Sequence, residues 1–309
     1  MKIPTQINQF DIEQLKHCVS TAEPFPFFHI DNFLSLDFAD AVLESFPTYG
    51  DAIKLGMSFN AVNEKGKVQV TDRKTFAPAV RELNDVLASQ EWLDILSYVM
   101  DIPKLLSDDQ LTGGGIHQTG PRGHLDVHVD FNYIADRELH RRLNILVYFN
   151  KDWQSAWGGN VELWDKDVKV CRHSFLPVFN RCVVFETNEI SFHGVTAVQC
   201  PEGMSRKSFA AYYYTKEAPV GWDGTSHSTI FKARPDEVAK KLVAIGRKIR
   251  NLTELGLTET VSTRLLVDAA KLIHSGLPKR LSVNVAIVEP LTDDPQTLQA
   301  IKDLCGLMI

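Results

Sequence analysis

The chain has 309 residues, 44% of them hydrophobic and 23% charged, with a formal net charge of −6. That length accommodates one large domain with elaborations or two smaller ones, and the composition is that of a soluble globule. The basic excess of a general nucleic-acid binder is missing, and no apolar run approaches the ~18 residues of a membrane span, so neither partner is expected.

The first ten residues, Met1 to Phe10, have no apolar segment after a basic start and do not read as a secretory signal. Five cysteines (Cys18, Cys171, Cys182, Cys200 and Cys305) are scattered without CxxC spacing, which points to free thiols and a cytoplasmic location. The glycosylation pattern Asn251-Leu252-Thr253 is a chance match in such a chain.

Pro24 to Ile30 reads as a buried strand, and Leu36 to Phe46 has apolar residues at helical spacing. A helix is expected over Ala79 to Leu87, with Pro78 suited to its first turn, and another over Gln90 to Val99. These elements make residues 1–108 a helix and strand region that packs on the core.

From 109 to 217 the pattern changes to short strands punctuated by turn residues. Gly113-Gly114-Gly115 and Thr119-Gly120-Pro121-Arg122-Gly123 are loop signals, while Leu143–Phe149, Arg181–Phe185 and Phe209–Tyr214 read as strands. Many short strands with frequent turns predict an antiparallel barrel or jelly roll. Residues 218–309 return to helix. Pro235 and Asp236 open one with Val238, Leu242, Ile245 and Ile249 on one face, and a second is expected from about Thr260 to His274, with Gly276 as its C-terminal cap. The basic residues of the first (Lys240, Lys241, Arg247, Lys248, Arg250) are read as a solvated face. The C-terminal helices are candidates for a homodimer interface, for capping the core or for binding a carrier protein.

Between Arg122 and Asp130, His124, Asp126, His128 and Asp130 alternate with Leu125, Val127 and Val129. A strand has period two, so the four ionisable groups are expected on one face and the apolar residues on the other. Imidazoles and carboxylates inside a barrel are costly unless something satisfies them, and a divalent metal does so directly. Of the two His-x-Asp pairs, His128 and Asp130 are favoured because they end the strand just before a polar loop, where a site opens to substrate. His124 follows a turn, where the strand begins. A third ligand must come from a distant strand. His140 sits in a charged loop and is expected in solvent, and His173 carries no signature. His193 enters a strand after a polar turn and is the preferred ligand.

These residues resemble a known family. His128-Val129-Asp130, Asn144 to Trp153, Trp157 to Leu163, Phe179-Asn180-Arg181, His193-Gly194-Val195 and Arg206-Lys207-Ser208 are similar, in order, to the prolyl-hydroxylase-like branch of the 2-oxoglutarate/Fe(II) dioxygenases. The resemblance implies an α+β protein with a double-stranded β-helix, or jelly-roll, core. It also implies Fe(II), 2-oxoglutarate and O₂ as cofactor and co-substrates, with succinate and CO₂ released as an unactivated C–H bond is hydroxylated. By the same resemblance, Arg206 binds the C5 carboxylate of 2-oxoglutarate, and a planar guanidinium suits that task. Ser208 lies two residues on and shares its face, Tyr148 matches another cofactor-contacting position, and Gln118 a looser one.

Related halogenases have a small residue where this chain has Asp130, so hydroxylation is expected, although desaturation or ring closure would use the same ligands. Candidate substrate residues by position are Arg122, Asn132, Arg142, Asn144, Glu162 and Trp164, serving a small-molecule, amino-acid or peptidyl substrate. Two other readings are a metal-dependent cupin-like enzyme without 2-oxoglutarate and a degenerate jelly roll that only binds.

Overall fold

The computed structural model describes residues 1–251 and 261–309. Leu252, Thr253 and Thr260, which belong to the glycosylation pattern and the expected helix start, lie outside the described residues. The chain divides into two compact units, Met1–Lys232 and Ala233–Ile309. This places one break at 232/233, where the sequence pattern suggested changes near 108 and 217. Among the described residues, no helix is long and apolar enough to cross a membrane.

The first unit opens with α1 (Ile12–Ser20), β1 (Phe27–Ile30), α2 (Leu36–Glu44), α3 (Tyr49–Leu55), β2 (Met57–Asn60), β3 (Glu64–Val70), α4 (Pro78–Leu87) and α5 (Gln90–Val99). Of these, α2, α4 and α5 match the expected helices. Pro78 is at the start of α4, where its missing N–H costs nothing, and Ser89 caps α5 by accepting from the Trp92 N–H. The expected strand from Pro24 shortens to Phe27–Ile30. The periodicity did not disclose α1, α3, β2 or β3, which are short or largely exposed.

The strands of the core are β4 (Leu106–Ser107), β5 (Gly115–Val129), β6 (Tyr133–Ile134), β7 (Leu139–Tyr148), β8 (Val161–Trp164), β9 (Cys171–Phe175), β10 (Cys182–Glu186), β11 (His193–Val195), β12 (Arg206–Thr215) and β13 (Ile230–Phe231). They form a curled antiparallel sheet of jelly-roll type. One layer runs β10, β7, β12 and the first half of β5; the other runs the second half of β5, β11, β8 and β9. The segment Thr119–Gly123 is therefore not a loop. It is the crossing of one long strand between layers, with Arg122 at φ 65° and its N–H donated to the Val198 carbonyl.

Period-two alternation assigns the faces. Leu143, Ile145 and Val147 of β7, with Phe209, Ala211 and Tyr213 of β12, pack in one core with Val80, Leu83, Trp92 and Leu96 from the helices. The opposite face of the same layer meets the second layer through Tyr148, Val161, Leu163, Val183 and Phe185. Val127, Val129, Trp164 and Phe192 form a third cluster on the outside of the second layer.

Asn180 ties the entry segment to the core. Its side chain accepts from the Leu34 N–H at 2.8 Å and donates to the Leu34 carbonyl at 2.7 Å, copying a strand pair inside a buried site. In Asn180→Ala the Leu34 carbonyl keeps the Asn8 amide at 2.9 Å while the Leu34 N–H loses its partner, so the change is expected to lower unfolding stability by about 1–3 kcal/mol, the cost of one orphaned group. Chemical denaturation with an unchanged m-value checks this.

The second unit contains α6 (Pro235–Arg250), α7 (Thr263–His274), α8 (Lys279–Val283), a π-helical turn over Asn284–Val288 and α9 (Pro295–Gly306). Its own core is built from Leu242, Ile245, Ile249, Leu266, Ala269, Val283, Ile287 and Ile301. Lys240, Arg247, Lys248 and Arg250 of α6 lie on the exposed side of that helix. At the end of α7, Gly276 (φ 100°) donates to Ile273 O and Leu277 donates to Leu272 O, the paired bonds that close a helix on a left-handed glycine.

Candidate metal centre

His128, Asp130 and His193 each offer a ligand atom, and those atoms lie within 4.8 Å of one another; no other such group of three occurs among the described residues. His193 on β11 is paired directly with His128 on β5, so the two imidazoles come together through strand register. Their ring centroids are 4.3 Å apart.

Each ring is oriented by its own backbone. Nδ1 of His128 is 2.8 Å from Asp126 O, and Nδ1 of His193 is 2.9 Å from Ser191 O. A carbonyl accepts only, so Nδ1 carries the proton and the Nε2 lone pair is free for a metal. Both Nε2 atoms are 3.4 Å from Asp130 carboxylate oxygens. Burial pushes the His193 pKa down, helped by His128 and opposed by Asp130. Burial would raise the Asp130 carboxyl, but Arg141, His193 and His128 outweigh it and hold the group well below the usual carboxylate range. Two imidazoles and one carboxylate are the donor set that suits Fe(II).

A β-bulge separates the two His-x-Asp pairs. Val195 faces Leu125 and His193 faces His128, so β5 carries one residue more than β11 across this interval. The extra residue breaks the alternation, and the adjacent His124 and Leu125 both line the cavity together with His128. The expectation that His124, Asp126, His128 and Asp130 share a face is therefore met only in part: His124 borders the same cavity as His128 and Asp130, and Asp126 does not. His124 and Asp126 approach each other at 3.7 Å, and His124 reaches Val62 O at 3.4 Å.

The three ligands open into a cavity of about 310 Å³ that Arg206 and Ser208 also line. Arg206 is buried, donating from Nε to Gly159 O at 2.6 Å and from Nη2 to the Tyr148 hydroxyl at 3.2 Å; Nη1 is 3.4 Å from Ser208 Oγ. Among the described residues no carboxylate pairs with it. Burial lowers its pKa and pushes that of Tyr148 up to about 12. A buried guanidinium facing an open space without a counter-charge is a site for an anion.

Several sequence candidates lie elsewhere. Gln118 is on the helix-facing side of β5, donating to Pro47 O and accepting from Ser205, while its neighbours His117 and Thr119 line the cavity. Arg122 is 83% exposed beside Glu202. Glu162 and Trp164 do share a face, as expected, but it is the outer one; the Trp164 indole donates to Glu162. Asn132 hydrogen-bonds Glu189 and the Thr225 carbonyl in a neighbouring cleft. His140 is buried in β7 against Tyr133 and Trp222, contrary to its expected exposure. His173 is engaged with Glu23 O at 2.8 Å, remote from the triad.

Arg141 was not among the candidates, although Arg142 was. A register shift between Tyr213 and Tyr214 adds one residue to β7, so Arg141 and not Arg142 faces inward. Its guanidinium lies 3.7 Å from the Tyr212 ring centroid and bonds Asp130 at 3.0 Å. Asn144 completes the clamp, accepting from Arg141 and donating to Asp130 at 2.8 Å. Strict alternation could not have found Arg141, because the bulge is created by a partner strand some 70 residues away.

Residues 114–214 match the family model described as the 2OG-Fe(II) oxygenase superfamily, and residues 232–308 match that described as CbbQ/NirQ/NorQ C-terminal. The denitrification regulatory protein NirQ of Pseudomonas aeruginosa is 42% identical over 74 residues, covering 24% of this chain and 28% of that protein. The mouse prolyl 3-hydroxylase OGFOD1 is 34% identical over 84 residues, covering 26% of this chain and 15% of that protein. The chain thus spans well under two thirds of the curated relatives it matches. Among solved structures, a Trichoplax adhaerens prolyl hydroxylase in complex with a hypoxia inducible factor peptide fragment aligns with a TM-score of 0.48 and 17% identity, covering 66% of this chain and 88% of that one.

Proposed function

We propose that this chain, whose residues 114–214 are a 2OG-Fe(II) oxygenase domain, is a 2-oxoglutarate- and Fe(II)-dependent hydroxylase of a small-molecule, amino-acid or peptidyl substrate. The observation that carries the reading is Arg206, a buried cation without a carboxylate partner among the described residues, facing the cavity that holds the His128, Asp130 and His193 donors. Three ligands alone argue for a metal; the arginine argues for a dicarboxylate beside it.

In this reading His128 and His193 bind iron through Nε2 and Asp130 binds through its carboxylate. Arg206, Ser208 and Tyr148 grip the C5 carboxylate of 2-oxoglutarate. Iron and 2-oxoglutarate supply the oxidising power drawn from O₂, with release of succinate and CO₂. The chain's part is to orient the ligands, exclude water and position the substrate C–H bond. Arg141 and Asn144 hold Asp130 in place. A carboxylate at position 130 supports hydroxylation over halogenation.

The test is an anaerobic titration with Fe(II) and 2-oxoglutarate, followed by admission of O₂. A visible charge-transfer band is expected when both are present, and succinate release should then rise with a competent substrate. Iron binding without that band would favour a cupin-like enzyme that does not use 2-oxoglutarate. Failure to bind iron would favour a jelly roll that only binds ligands.

The C-terminal unit has its own hydrophobic core, which supports the reading of helices α6 to α9 as a separate contact module, here proposed to pair two copies of the chain. Light scattering of the full chain is expected to give the mass of two copies; the mass of one removes this proposal.

A further inference from the structure

A second cleft, of about 270 Å³, lies beside the metal cavity in the first unit, between the ends of β7 and β10 and the segment 219–227. Arg141 lines both spaces, so one guanidinium forms a wall common to the two. The aromatic side of the cleft is Trp222, edge-on to His140 at 4.4 Å and backed by Tyr133. Most polar groups here have partners. Asn132 and His227 engage Glu189, at 3.0 and 2.7 Å, and Arg141 is committed to Asp130.

Two adjacent groups are less well served. Thr187 is only 7% exposed, and its hydroxyl has no hydrogen-bond partner among the described residues. Glu186 is largely buried, and the nearest guanidinium nitrogen, on Arg142, is 3.9 Å away, beyond hydrogen-bonding distance. Burial raises the Glu186 carboxyl above the usual glutamate range, opposed by Arg142 and the Asn188 amide. An unpartnered buried hydroxyl and a loosely paired buried carboxylate are both costly unless something fills the cleft. With Arg141 held by Asp130, the charge left facing the space comes from Glu186, Glu189 and Asp223 and is negative.

We propose that this cleft is the recognition subsite for the substrate of the neighbouring metal cavity, and that it takes a protonated amine. The ammonium donates to Glu186 and to the Thr187 hydroxyl, and its carbon chain lies along the Trp222 indole, whose face also attracts a cation. A neutral or anionic group would leave Glu186 with only the Asn188 amide and the distant Arg142. The assignment of a substrate role rests on the oxygenase reading above; the amine chemistry rests on the cleft alone.

The experiment uses the full chain loaded anaerobically with Fe(II) and 2-oxoglutarate, and a series of primary alkylamines with their matching N-acetyl amides as probes in calorimetry. Amines are expected to bind at least about tenfold more tightly than the amides, a difference of 1.4 kcal/mol. Glu186→Gln should remove about that tenfold preference, and Thr187→Val a few-fold part of it, with the charge-transfer band unchanged in both variants. Equal affinity for amine and amide, an undiminished preference in Glu186→Gln, or no saturable binding of any amine would overturn the proposal. Loss of the charge-transfer band in the unaltered protein sinks the oxygenase reading, and the substrate role with it, whatever the amines do.

Discussion

Replacing Arg206 with Met is expected to weaken 2-oxoglutarate binding by about 10²- to 10³-fold while Fe(II) still binds. The magnitude follows from removing one partner of a buried, hydrogen-bonded charge pair, which costs 2–5 kcal/mol. Arg206→Lys should recover part of the affinity and not all of it, because an ammonium keeps the charge but loses the fork that meets two carboxylate oxygens. The readout is the 2-oxoglutarate concentration that half-saturates the charge-transfer band. Stability should move the other way. In the protein without 2-oxoglutarate, Arg206 is a buried cation with hydroxyl and carbonyl partners but no counter-ion among the described residues. The Met variant should therefore unfold no earlier than the unaltered protein, and 2-oxoglutarate should stabilise only the latter. Unchanged 2-oxoglutarate affinity in Arg206→Met would remove the cofactor assignment.

Arg141→Leu is expected to destabilise the metal-free protein by about 3–5 kcal/mol, the cost of leaving a buried carboxylate without its cation. Asp130 would keep Asn144 at 2.8 Å but lose the Arg141 contact at 3.0 Å. Bound metal supplies a positive charge to the same carboxylate, so the deficit should shrink when Fe(II) or another divalent ion is present. The pH dependence follows from the depressed pKa of Asp130. In the unaltered metal-free protein, the stabilisation from this group is present above the unfolded carboxyl value near 3.8 and is lost as pH falls through the lower folded value. Without Arg141 the folded value rises, so the acid-unfolding midpoint should move to higher pH. Thermal melts with and without metal over pH 3–7 read both effects. An equal deficit in the two states would show that Arg141 acts by packing against Phe131 and Tyr212 and not through Asp130.

Many short strands with frequent turns in residues 109–217 were enough to read an antiparallel barrel or jelly roll, and the resemblance of the motifs selected the jelly roll. Gln118, which the resemblance offered as a looser cofactor contact, sits one residue out of phase with His117 and Thr119 and so faces the helices. Glu162 and Trp164 were offered as pocket residues by their position. They share a face, but Val161 and Leu163 hold the inner one. Which face is the inside depends on what covers each layer, and no single strand contains that information.

What the amino-acid sequence determined by itself was therefore the strand and helix content of the core, the order of its motifs and the chemical identity of the donors. Donor type is a property of a side chain, and alternation and helical spacing are properties of adjacent residues. The tertiary structure decided which donors meet. His193 and His128 come together across a strand pair, and one added residue in β5 breaks the alternation between the His124/Asp126 pair and the His128/Asp130 pair. One added residue in β7 brings Arg141 inward where Arg142 was expected, and with it the charge that holds Asp130 ionised. Both bulges are set by hydrogen bonding to strands far along the chain, so the phase of the alternation at the site is a property of the assembled sheet.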